Sequence, residues 1–161
     1  HLRALGKPDG FCEVKVDETG EICVRGGCVM LGYYKDPEAT AETIDKDGWL
    51  HTGDLARVDE EGYYYMTGRK KNLIILDSGE NVSPEELEGI VGKCEAVKEC
   101  VVKEMGKKIG VVVYCDEDKQ QQVRDFITEA NRTLPLYKRM SAVEFSTEPL
   151  PRNGAGKLLR Q

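Results

Sequence analysis

The apolar positions fall into two regimes along the chain. In the first part they alternate in short runs punctuated by turn formers. Phe11 to Val16 alternates, Asp17-Glu-Thr-Gly20 turns, and Glu21 to Arg25 alternates again, which predicts a hairpin with a four-residue connection. Gly26-Gly27 breaks the second strand, and Met30 to Tyr34 is a short apolar stretch. Asp36 followed by Pro37 predicts a helix start carrying Glu38 to Ile44. Asp47-Gly48 is a further turn. Past Trp49 and His51-Thr-Gly-Asp54, the runs Leu55 to Val58 and Gly62 to Thr67 predict a second hairpin around Asp59-Glu-Glu-Gly62.

The pattern changes at Gly68-Arg69. Asn72 to Leu76 reads as a fully apolar strand and Asp77 to Asn81 as a loop. Ser83-Pro84-Glu85-Glu86 predicts a helix start, with Ser as cap, Pro at the first position and Glu three residues after the cap. Leu87, Ile90 and Val91 give that helix one apolar stripe. Val97 to Lys103 and Ile109 to Tyr114 read as paired strands joined through Glu104 to Lys108. Glu117 to Thr133 reads as a helix with Val123, Phe126, Ile127 and Ala130 on one face, ended by Pro135. Val143 to Phe145 is a short strand, Pro149 to Gly156 a Gly/Pro-rich loop, and Lys157 onward the start of a last helix.

The expected fold class is therefore α+β, in two parts. Residues 1–67 are β-rich and incomplete, because a few hairpins with open edges are marginal alone. Residues 68–161 run β, α, β, β, α, β, with enough apolar surface for a small core of their own. The opening HLRALGKPDG has no Met and several turn formers, so a fragment cut in mid-fold is expected.

Composition narrows the function classes. The 161 residues carry a net charge of −6, which argues against a nucleic-acid module with its basic patch. No apolar run approaches the length of a membrane span, and no leader pattern opens the sequence. None of the six cysteines forms C-x-x-C, and His1 and His51 are the only histidines, so no metal site is expected. Cys23, Cys100 and Cys115 lie in apolar runs and read as buried free thiols, not disulfide partners, in an intracellular-looking chain.

Three short motifs carry candidate chemistry. In Thr52-Gly53-Asp54 the glycine permits a tight turn, and an ionised Asp54 can accept from two neighbouring hydroxyls, as a ribose offers; alone, such an aspartate more often caps backbone N–H groups. Arg69 can fork onto phosphate or ribose oxygens. The loop Pro151-Arg-Asn-Gly-Ala-Gly-Lys157 lacks the residues of a Walker A loop, but it sets Lys157 on a Gly-flanked arm that could meet developing negative charge.

Taken together, WLHTGD, YYYMTGRKKNLII, SGENVSPEELE and PLPRNGAGKLLR, in this order and preceded by GEICVRG and LGYYKDPEATAET, resemble the adenylate-forming acyl-CoA synthetase superfamily. That superfamily includes firefly luciferase and the adenylation domains of nonribosomal peptide synthetases. The form GRKKNLII…SGENVSPEELE is most similar to the long-chain fatty-acid–CoA ligases. The resemblance implies that residues 1–67 end a large AMP-binding domain, in a β-barrel-like subdomain, and that 68–161 form a mobile small C-terminal domain. It implies ATP with Mg2+, held mainly by the upstream domain, and coenzyme A as co-substrate of a carboxylate, a fatty acid in the first place.

Residue by residue, the resemblance implies that Asp54 holds the ribose hydroxyls, Arg69 contacts ribose or phosphate, and Lys71 is the hinge. Lys157 bridges the carboxylate and the α-phosphate in adenylation. Gly79 and Glu80 belong to the loop that faces the coenzyme A channel in thioester formation, Gly79 leaving room for the pantetheine arm. Asn153 departs from the small hydroxyl residue usual in the lysine loop. The phosphate loop, adenine pocket and acyl tunnel of the family have no counterpart here, so the fragment alone is expected to be inactive. A cytoplasmic enzyme, free or at a membrane surface, is implied. An adenylation domain that loads a carrier protein and a stand-alone, non-catalytic module derived from the family remain the alternatives.

Overall fold

The computed structural model describes residues 4–160, so His1 lies outside it. The chain divides into two compact units, one ending at Lys71 and the other beginning at Asn72. The composition break at Gly68 lies four residues earlier. Gly68 and Arg69 still pair with Leu55 and Asp54, and so belong with the first unit.

The first unit is an antiparallel sheet in the order β1 (Cys12–Val16), β2 (Glu21–Gly26), β3 (Leu50–Val58), β4 (Tyr64–Arg69). One turn device recurs three times. Asp17, Asp45 and Asp59 each open a D-x-x-G turn, and each carboxylate accepts the N–H groups two and four residues on, at 2.8 to 3.0 Å. The fourth residue, Gly20, Gly48 or Gly62, takes a φ between 81° and 85° that a side chain would oppose. These Asx turns satisfy the backbone locally and fix the register of the strands they join. Helix α1 (Pro37–Thr43) begins as expected, with Asp36 accepting from the Ala39 N–H. Ile22, Cys23, Leu55 and Ala56 are buried, whereas Phe11, Leu31 and Tyr34 stand exposed.

Cys12 and Cys28 are joined in a disulfide, which corrects the expectation of free thiols throughout. Register explains the meeting. Cys12 lies opposite Gly26, and a turn closed by the Val29 N–H on the Gly26 carbonyl brings Cys28 back over the strand end. Cys23 and Cys115 are buried free thiols as expected, and Cys100 is a half-buried one.

The second unit holds the small pair β5 (Ile74–Ile75) and β6 (Asn81–Val82), helix α2 (Pro84–Val91), the hairpin β7 (Glu99–Met105) and β8 (Lys108–Tyr114), helix α3 (Gln120–Thr133) and β9 (Ala142–Ser146). The larger sheet has the order β7-β8-β9, with β8 and β9 parallel and α3 as their crossover. Ile109, Val111 and Val113 alternate along β8 and meet Leu87 and Val91 of α2 and Val123 and Ile127 of α3 in one core. No helix among the described residues is long and apolar enough to cross a membrane.

Several expectations are corrected here. The strand read over 72–76 shrinks to two residues, because residues 70–72 form a 3-10 turn and the Asn72 amide donates to Glu85 at 2.6 Å. The helix read from Glu117 begins with a 3-10 turn, its α-helical part starting at Gln120. The connection read over 104–108 is a two-residue turn, with Gly106 and Lys107 both at positive φ between the paired Met105 and Lys108. The helix read from Lys157 is absent among the described residues. The Asn153 side chain accepts from the N–H groups of Ala155 and Lys157, and an Arg152–Leu158 bridge closes a hairpin-like turn instead.

Candidate functional site

Asp54 and Arg69 are brought together by strand register. They are direct partners across β3 and β4, and Arg69 Nε lies 2.8 Å from Asp54 Oδ1. That oxygen is shielded from solvent and makes no aligned hydrogen bond, so charge rather than a directed bond holds it. Arg69 keeps 43% of its side chain exposed and lines an open cleft.

The Thr52-Gly53-Asp54 segment is a bulge within β3, not a turn ahead of it. Glu21 pairs with Leu55 and Cys23 with His51, so four residues on β3 span the length of two on β2. Gly53 sits at φ 73° at the crest. The N–H groups of Gly53 and Asp54 are both satisfied by side chains. The Thr52 hydroxyl donates to the Ile22 carbonyl at 2.8 Å and accepts from the Asp54 N–H at 3.1 Å, while the Gly53 N–H donates to Glu21 Oε1 at 2.7 Å. A methyl group at Gly53 would meet no atom within 4 Å, so Gly53→Ala isolates the cost of the left-handed backbone. That cost is about 1–2 kcal/mol. A lower thermal midpoint of the intact protein is the expected result, and an unchanged midpoint would contradict the assigned backbone.

Glu21 and Lys70 were not singled out by the sequence motifs. Glu21 is 2% exposed. Besides Gly53, its carboxylate receives Lys70 Nζ at 2.8 Å and faces His51 Nδ1 at 3.3 Å, both on Oε2. Burial pushes the Glu21 carboxyl up, but the bonds from Lys70, Gly53 and His51 outweigh it and hold the group below its ordinary range. The stabilisation is present above the ordinary carboxyl pKa and is lost as pH falls through the depressed one. The same bond raises the Lys70 ammonium. Asp17, Glu21, Cys23 and His51 offer metal-ligand atoms all within 4.8 Å of one another. The Lys70 ammonium stands where a metal would have to take Glu21. The one signal in the sequence was period two, which puts Glu21 on the Cys23 side of its strand.

An open cleft of about 830 Å³ lies on this unit, lined among others by Glu21, His51, Gly53, Arg69, Lys70 and Lys71. Asp54 is not part of its lining. Lys71 is exposed and closes the first unit.

The remaining predicted residues lie on the second unit. Gly79 is exposed at φ 93° with open space around its Cα, in a turn where its N–H donates to the Leu76 carbonyl. Glu80 is exposed and its carboxylate takes the Ser78 hydroxyl. Lys157 is exposed at the end of a braced loop, and its ammonium has no hydrogen-bond or ion-pair partner among the described residues. Asn153 ties the loop internally, as its amide allows. Glu99 of β7 holds the incoming arm through the Leu150 N–H at 2.8 Å and Arg152 at 2.6 Å, and Arg160 holds the outgoing arm to Glu85 and Glu88 of α2 at 3.1 and 2.8 Å. The stem is fixed and the lysine is free.

Residues 71–161 match the family profile of the AMP-binding enzyme C-terminal domain. The chain belongs to the AMP-binding enzyme family. It is similar to a long-chain-fatty-acid–CoA ligase of Escherichia coli O157:H7, with 41% identity over 92% of this chain and 27% of the relative. It is also similar to 4-coumarate–CoA ligase 1 of Solanum tuberosum, with 36% identity over 96% of this chain and 29% of the relative. Among solved structures it matches O-succinylbenzoate coenzyme A synthetase from Bacillus subtilis in complex with AMP, at a TM-score of 0.80 and 31% identity, over 99% of this chain and 35% of that one. The chain thus spans little more than a quarter of the curated relatives it matches.

Proposed function

We propose that this chain is the C-terminal portion of an ATP-dependent carboxylate–CoA ligase that works through an acyl-adenylate, with a fatty acid as the carboxylate. The observation that carries the reading is the contrast between two groups. Arg69 is locked beside Asp54 in the sheet, whereas Lys157 is unpaired at the end of a braced loop. A fixed carboxylate–guanidinium pair suits a ligand retained throughout a reaction. A free ammonium on a rigid stem suits a charge delivered to one step only.

In this reading Asp54 accepts the ribose hydroxyls of ATP, and Arg69 adds an N–H to ribose or phosphate. Mg2+ and the adenine are held mainly by the upstream domain. Lys157 bridges the carboxylate and the α-phosphate while negative charge builds during adenylate formation. Rotation about Lys71 then withdraws it and brings the loop of Gly79 and Glu80 to the coenzyme A thiol, whose attack releases AMP. The open space around Gly79 suits the passage of a pantetheine arm. In this reading the residues up to Lys71 end the large domain and those from Asn72 form the mobile one, at the division between the two compact units. The fatty-acid assignment rests on the 41% identity to a long-chain ligase. In this reading the enzyme is cytoplasmic, free or at a membrane surface.

The phosphate loop and acyl tunnel expected upstream have no counterpart in this chain, so residues 1–161 alone are expected to be inactive. Pyrophosphate exchange with ATP and a panel of fatty acids should stay at background for this chain and appear in the full-length protein. Turnover by the chain alone would overturn its inactivity, and no exchange by the full-length protein with any carboxylate would overturn the ligase reading.

A further inference from the structure

The only charged side chain that is fully buried among the described residues is Glu21, in the GEICVRG stretch, to which the resemblance gives no role. Its two oxygens reach β3 and the 3-10 turn that follows β4. Oε1 accepts from the Gly53 N–H, the residue before Asp54, and Oε2 accepts from Lys70, the residue after Arg69. Asp54 and Arg69 are themselves direct cross-strand partners. One carboxylate therefore clamps the two segments that carry this pair, one residue away on each side.

The clamp is over-determined, as a positioning element must be. His51 Nδ1 faces the same Oε2 at 3.3 Å, and His51 Nε2 faces Asp45 Oδ2 at 3.5 Å, so the ring is bracketed by two carboxylates. The bulge it supports has no spare backbone donor at Gly53 or Asp54, since Glu21 and Thr52 take both. Removing the Glu21 carboxylate would leave the half-buried Gly53 N–H without its protein acceptor and Lys70 without its counter-charge, and the bulge would be free to reset.

We infer that Glu21 is a positioning residue. It sets the placement of Asp54 and Arg69, and through Lys70 it anchors the last residue before Lys71, so that rotation begins beyond it. The inference deepens the ligase reading and rests on it for its kinetic consequence, but the clamp itself is a property of the fold. Glu21 touches no reacting atom in this scheme, and its effect runs through the pair that does.

The experiment uses the full-length protein and three variants. Glu21→Ala removes both bonds. Glu21→Gln keeps an acceptor for the Gly53 N–H and loses the charge that holds Lys70. Lys70→Gln removes the ion pair from the other side. Two readouts are taken, the KM for ATP against kcat in pyrophosphate exchange, and hydrogen exchange of the peptide spanning residues 50–56. Glu21→Ala is expected to raise the KM for ATP about tenfold or more, with a smaller change in kcat, and to lose protection at Gly53. Glu21→Gln should restore protection and much of the KM. Glu21→Gln and Lys70→Gln should not add when combined, because each removes the same pair. A purely structural role would lower the amount of folded enzyme and leave the KM unchanged, which would overturn the inference. So would protection at Gly53 that survives Glu21→Ala, or full additivity of the two glutamine variants. If Glu21→Ala does not fold, the glutamine variants decide by KM and additivity. If the wild-type protein shows no exchange activity the ligase reading fails, while hydrogen exchange still decides whether the clamp exists.

Discussion

Replacing Lys157 by alanine in the full-length enzyme is expected to slow adenylate formation by about a hundred- to a thousandfold, the usual loss when one preorganised donor is removed from developing charge. Thioesterification of supplied acyl-AMP should stay within a few-fold of wild type. The asymmetry follows from the loop. Glu99 and Arg160 fix its two arms, Asn153 fixes its turn, and the exposed lysine contributes nothing to that bracing. The fold should be unaffected, because an exposed side chain away from caps and core changes stability by about 0.5 kcal/mol at most. Comparable losses in both half-reactions would contradict a lysine delivered to one step.

Lys71→Pro is expected to do the reverse, leaving adenylation close to wild type and slowing thioester formation by about a hundredfold, the scale of a misplacement near 1 Å. Lys71 is the last residue of the first unit and sits within the 3-10 turn of residues 70–72. Proline at this position fixes φ, so a rotation that passes through this residue is blocked. Lys71→Ala separates loss of the side chain from fixing of the backbone, since it removes the one without the other, and it should leave both half-reactions near wild type. A proline variant that performs both steps normally would remove Lys71 from the pivot.

What could be read from the sequence follows how local each feature is. The D-x-x-G turns at Asp17 and Asp59, the Asp36 and Ser83 caps and the apolar face of α3 are each written within a few consecutive residues, and they appear as read. Even there, Glu86 also takes a partner that no local pattern announces, Lys138 at 2.7 Å, 52 residues away. The strand over 72–76 failed because an apolar run does not choose between strand and turn, and Asn72 is drawn to Glu85. The Gly106–Lys107 hairpin was obscured by a lysine in a left-handed conformation, which few sequences announce. Glu21 with Lys70, separated by 49 residues, and Cys12 with Cys28 meet only once sheet register is set. The candidate site divides in the same way. Arg69, Asp54 and Lys157 were legible as residue types on motifs, while the buried carboxylate between the strands was not.

The most direct test is the ratio of the adenylation rate to the thioesterification rate, measured in parallel on wild-type, Lys157→Ala and Lys71→Pro full-length enzyme. One mobile unit serving two steps predicts that the ratio falls about a hundredfold or more in Lys157→Ala and rises by a similar factor in Lys71→Pro. A ratio that stays at the wild-type value in both variants, with the two rates falling together, would contradict it.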